Sequence, residues 1–272
     1  MRPRLALALA LLLAPVSTRA APPAPAKVVA PPLAQSPIPV AYPEVARTSA
    51  TTSQLLADVP SQEGRWKATP KTDPKRADVG LKVGLHHVEL AMAADADRAA
   101  ATKDAERTKA AQIRTAALTR AVGVLRAVAD EHPTFGRLDE VLYHLARAHR
   151  ALGSDDLARL IHLELTKKMP LSRFVPWAYL DIGDSTFEQA LQGKVDWTIP
   201  REAYTRAAKW MGPDGEGLGY AAYKLGFAEW HLGNKSAARK SFTLAKEFAA
   251  EHPKVKGAAE LAAATTKALA AL

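Results

Sequence analysis

The stretch Ala221–Arg239, AAYKLGFAEWHLGNKSAAR, lies over Val141–Arg159, VLYHLARAHRALGSDDLAR, at an offset of eighty residues. Tyr, Leu, Ala, Leu, Gly, Ala and Arg coincide at seven of nineteen positions without a gap. Each copy reads as a helix, a glycine turn at Gly153 or Gly233, and a second helix opened by Ser154 or Asn234. Small residues, Ala158 and Ala238, fall in the second helices where two backbones must approach closely.

Working outward, the gap between the copies holds another unit, WAYLDIGDSTFEQALQGKVDWTIPREAYTRAAKW, enlarged by an insertion near GKVDWTI. Upstream, RAVGVLRAVADEHP repeats the ending LAKEFAAEHP, with Ala121 before Pro133 as Ala158 stands before Pro170. Its helix pairs with one across LKVGLHHVELAMAADADRAAA to give a degenerate first unit, and KVKGAAELAAATTKALAAL reads as an amphipathic cap on the open end.

These units resemble tetratricopeptide (TPR) repeats, whose signature sets W, L-G, Y, G, A, F, A and P in about 34 residues. Leu225-Gly226, Gly233, Ala238, Phe242 and Ala245 match it, as do Ile182-Gly183 in the third unit, whereas Glu229 and Ala222 stand at the Tyr and Trp positions. The resemblance spans residues 77–272 and implies an all-α, TPR-like α-solenoid of about four helix pairs plus a C-terminal capping helix.

The N-terminus differs in composition. Arg2 and Arg4, an apolar run over residues 5–14 and a small-residue exit at Ala20 read as a cleavable signal peptide, 1–20, too short to span a membrane. Residues 21–76 read as a disordered Pro-rich linker, with eight prolines between Pro22 and Pro43, and an irregular lead-in with Trp66 as a docking anchor. The sequence has no cysteine, so neither a disulfide, a thiolate site nor a lipoprotein anchor is expected, and together with the signal peptide this makes the periplasm the expected location. Formal charge falls from +9 to +6 once Arg2, Arg4 and Arg19 leave with the signal. Basic and acidic residues alternate along helices, so nucleic acid is not expected as a partner, and peripheral association with anionic envelope surfaces is.

Catalytic patterns are sparse. His86-His87-x-Glu89 lacks the spacing of two ligands on one helical face, Glu140 and His144 have it without a third ligand, and no metal or cofactor is expected. His132, His231 and His252 read as helix C-terminal residues whose charge suits the helix dipole. Gly212–Gly217, GPDGEG, lacks the Lys-Ser/Thr of a phosphate loop and reads as a connecting turn, and no G-x-S-x-G elbow occurs.

Binding is better supported than catalysis. The resemblance puts Tyr220, Tyr223, Phe227 and Trp230 of the fourth unit in a concave groove, one stripe at i, i+3, i+7 and i+10. The matching positions are Glu140, Tyr143, Arg147 and Arg150 in the second unit and Trp177, Leu180, Asp184 and Phe187 in the third. Aromatics and arginine are the types enriched at binding hot spots. The competing reading has the stripe pack against neighbouring helices. The expectation is a non-enzymatic periplasmic TPR scaffold that takes a peptide or helix of other envelope proteins in outer-membrane assembly, envelope constriction or motility machinery. The alternative is a cell-wall-directed enzyme or glycan-binding module on the same solenoid. Oligomeric state is left open.

Overall fold

The computed structural model describes Tyr42, Pro43 and residues 49–272, so the expected signal and most of the Pro-rich linker lie outside the described residues. Among the described residues there are ten helices and no strand: α1 (Thr52–Ala68), α2 (Arg76–Ala100), α3 (Asp104–Glu131), α4 (Leu138–Ala151), α5 (Asp155–Lys168), α6 (Val175–Leu191), α7 (Thr198–Met211), α8 (Leu218–His231), α9 (Lys235–Glu251) and α10 (Ala258–Ala271). Consecutive helices pack as the pairs α2/α3, α4/α5, α6/α7 and α8/α9. Helix α10 covers α8 and α9, and α1 lies on α2, giving an α-solenoid. None of these helices is long and apolar enough to cross a membrane.

The turn that HLGN encodes is a helix C-cap. Gly153 and Gly233 both have φ of 80°, the left-handed region that glycine enters without steric cost. The Ser154 and Asn234 amides donate to His149 O and Glu229 O, each at 2.9 Å, while the Gly153 and Gly233 amides reach Arg150 O and Trp230 O. This double closure satisfies carbonyls that the helix end would otherwise leave bare. Ser154 and Asn234 hold the N-cap positions of α5 and α9, but their side chains make no capping bond; Asn234 Nδ2 donates to Glu229 Oε2 at 2.7 Å instead.

The third pair closes in the same way at Gly193 and then carries the insertion. Asp196 Oδ1 accepts the Thr198 amide at 2.8 Å and starts α7. Trp197 lies flat on His231 at 3.7 Å and edge-on to Phe187 at 5.1 Å, so the insertion is folded back onto α6 and α8. Burial beneath that stack lowers the His231 pKa, and packing replaces the charged cap expected of this residue. His132 and His252 do occupy the C-cap positions of α3 and α9, and GPDGEG is the turn between α7 and α8.

Close helix approach is written into the L-G pairs. A Cβ on Gly226 would stand 2.5 Å from Phe242 Cε1, and one on Gly183 would stand 2.6 Å from Tyr204 Cε1. Each ring therefore seats directly on the backbone of the preceding helix.

The irregular lead-in expected before residue 77 is corrected: α1 is a full helix. Thr51 and Gln54 form a capping box, the Thr51 amide donating to Gln54 Oε1 at 2.8 Å. Leu55 and Trp66 bury against the domain, and the Arg76 guanidinium lies 3.4 Å above the Trp66 ring centroid. Trp66 is thus the docking anchor expected of it. The helix has little signature in the sequence because it contains Pro60 and the partners of its Glu63, His87 and Arg120, lie 24 and 57 positions away.

Candidate functional site

Of the nine aromatic and arginine residues at the expected groove positions, the structure puts Tyr143, Phe187, Tyr223, Phe227 and Trp230 in the core. Tyr143 stacks on Phe174 at 4.7 Å, and Tyr223, Phe227 and Trp230 all face Phe242. The competing reading of the stripe holds for these five. Helix α8 is flanked by α7, α9 and α10, so positions that would face outward on a two-layer surface meet a second helix. These five side chains stabilise the solenoid and are not open to a partner.

The other four, Arg147, Arg150, Trp177 and Tyr220, are partly exposed and converge on a face shared by α4, α6 and α8. Two buried carboxylates from α6 organise it. Asp181 accepts Arg150 Nη1 at 2.5 Å and meets His162 Nε2 at 3.0 Å. Burial opposes its ionisation, but the His162 contact and the Arg150 and Arg147 charges hold its pKa well below the usual carboxylate range. Asp184 Oδ1 accepts the phenols of Tyr204 at 2.8 Å and Tyr220 at 3.2 Å. Its Oδ2 accepts the phenol of Tyr42 at 2.5 Å.

Lys224 completes the face, its ammonium 4.3 Å from the Phe187 ring centroid. Burial lowers its pKa, while Asp184 and Glu188 oppose that shift. Burial and the Asp184 carboxylate push the phenols of Tyr42, Tyr204 and Tyr220 well up, so all three keep the protons they donate. Beside this face an open cleft of about 720 Å³ is lined by Tyr42, Pro43, Trp177, Trp210, Asp214 and Glu216 among others. Leu171, also in its wall, is 91% exposed.

Asp184 and Arg150 lie in the register that sequence reasoning followed; Tyr42, Asp181, His162 and Lys224 were missed. Tyr42 did carry a signal, being the only aromatic residue before Trp66. The His162–Asp181 pair has the residue types of catalytic machinery, yet His162 is 1% exposed and enclosed with Tyr143, out of reach of a substrate. Among the described residues no group of three His, Asp or Glu side chains is placed to hold a metal.

No protein-family model matches the chain, and no relative is found among curated proteins. Among solved structures, the crystal structure of BtubC (BKLC) from P. vanneervenii is similar, with a TM-score of 0.42 and 14% identity over 75% of this chain and 91% of that one.

Proposed function

We propose that the chain is a non-enzymatic, TPR-type scaffold of the bacterial envelope, exported to the periplasm, which holds an extended segment of a partner protein on its α4–α6–α8 face. The observation that carries this reading is the convergence of partly exposed Arg147, Arg150, Trp177, Tyr220 and Lys224 from three successive helix pairs beside one open cleft. Arginine and aromatics on rigid helices are suited to gripping a peptide with little entropy cost. The signal-like N-terminus supports export.

Site-specific photo-crosslinking in the native cell tests this. A crosslinker at Trp177 or Lys224 is expected to capture a discrete envelope protein that one at Leu160, 59% exposed on α5, does not. Capture from Leu160 alone, or recovery of the protein in the cytoplasmic fraction, overturns the proposal.

A further inference from the structure

Tyr42 is held in a formed pocket by three repeats. Its phenol donates to Asp184 Oδ2 at 2.5 Å, its ring lies 4.1 Å from the Arg147 guanidinium carbon, and Trp177 tilts against it at 5.7 Å and 53°. Arg147 comes from α4, Trp177 and Asp184 from α6, and Tyr220, which braces Asp184, from α8. Pro43 lines both the large cleft and a smaller cavity of about 210 Å³ whose walls include Val88, Met92 and Arg114. The leader's Tyr-Pro pair therefore sits where the α4–α6–α8 face is most strongly built.

The pocket is selective in a particular way. Asp184 is 9% exposed, and two phenols of the fold itself satisfy Oδ1, leaving Oδ2 to the incoming hydroxyl. A phenylalanine fills the ring space but strands that oxygen, which a buried carboxylate tolerates poorly. A phosphorylated tyrosine sets its charge against Asp184 and Asp181. A proline after the tyrosine has one fixed dihedral and no amide to leave unpaired, so it lowers the cost of ordering the segment.

Resting on the reading of this face as a binding surface, we infer that it is a tyrosine-recognition site whose external ligand is an extended protein segment presenting Tyr-Pro. Tyr42-Pro43 is the internal copy of that ligand. A tethered copy competes at an effective concentration on the order of millimolar, so the free protein binds only partners that outcompete its own leader.

The test uses the full chain carrying Tyr42→Ala and a fluorescein-labelled peptide, SPIPVAYPEVARTS, reproducing residues 36–49. The peptide is expected to bind this variant saturably and roughly tenfold or more tighter than it binds wild type, because the internal copy is gone. The same peptide with Phe for Tyr is expected to bind roughly tenfold weaker, through the stranded carboxylate oxygen. Arg147→Ala added to the Tyr42→Ala chain is expected to weaken binding while the melting curve keeps its cooperative transition. Absence of saturable binding to Tyr42→Ala, or equal affinity for the Tyr and Phe peptides, overturns the recognition site. Equal affinity for wild type and Tyr42→Ala overturns the internal copy. If a partner still crosslinks at Lys224 when the peptide does not bind, the scaffold reading stands and only this inference falls.

Discussion

His162 and Phe242 occupy the same place in two helix pairs, eighth residue of α5 and eighth of α9, yet one is a buried imidazole and the other a buried phenyl ring. Phe242 seats on Gly226. His162 keeps the inward position but turns Nε2 to Asp181 on the next pair, at 3.0 Å. The repeat template at that position is spent on linking one unit to its neighbour, and the link also fixes the carboxylate that holds Arg150.

His162→Phe restores the residue of the fourth pair and would pass as a gain in core hydrophobicity. It is expected to destabilise instead, by about 1–3 kcal/mol, because Asp181, 3% exposed, loses one of its hydrogen-bonding partners. Urea unfolding at neutral pH measures this, and a variant as stable as wild type contradicts the assigned role.

Gly226→Ala places a methyl group 2.5 Å from the Phe242 ring, which is fully buried and has nowhere to go. The expected loss is about 1–3 kcal/mol. Gly64→Ala is the control: it lies on the exposed side of α1 with nothing within 4 Å of the new Cβ, and is expected to stabilise by about 0.5–1 kcal/mol. Thermal melts of the pair should move in opposite directions.

His144 supplies a pH signature. Burial, reinforced by Arg147, Arg173 and Arg137, lowers its pKa from 6.5 to about 3. Below about pH 6.5 the unfolded chain takes up a proton that the folded chain refuses, so stability is complete above that pH and falls as the pH drops toward 3. At about 1.4 kcal/mol per pH unit, the share lost between pH 6.5 and 5 is about 2 kcal/mol. His144→Phe keeps the ring among Tyr143 and Phe174 and removes the proton, so its stability should drop less between pH 7 and 5 by that amount. Equal pH slopes in the two proteins rule the assignment out.

The solenoid was legible because its grammar is local: a left-handed glycine, a small residue in the following helix and a proline closing the unit all fall within one repeat. The face was legible only in part. A periodic stripe says which residues share one side of α8, but not that other helices cover it, and so Tyr223, Phe227 and Trp230 went to the core. Asp184 gave no signal as a lone acid in register. Its meaning comes from three tyrosines lying 20, 36 and 142 positions away. Helix α1 is the same case, since its apolar anchors Leu55 and Trp66 stand far apart and much of the rest of its attachment is polar, through His86, His87 and Arg120.

That attachment yields the last prediction. Glu63 of α1 receives Arg120 of α3 through both carboxylate oxygens and meets His87 of α2 at 3.0 Å, so one side chain fastens α1 to the first pair. The Arg120 hydrogen bonds, with a further contribution from His87 and against the effect of burial, lower the Glu63 pKa from 4.5 to about 2. The folded pKa lies below the unfolded one, so this stabilisation is present above about pH 4.5 and is lost as the pH falls toward 2. Glu63→Gln keeps the shape and removes the charge at every pH. Because each solenoid unit contacts chiefly its neighbours, the loss should stay local. Amide hydrogen exchange at neutral pH is expected to speed up roughly tenfold in α1, equivalent to about 1.4 kcal/mol, and to remain at the wild-type rate in α8 and α9. Faster exchange spread evenly over all helices would mean that α1 and the solenoid open as one unit, and would refute the local clasp.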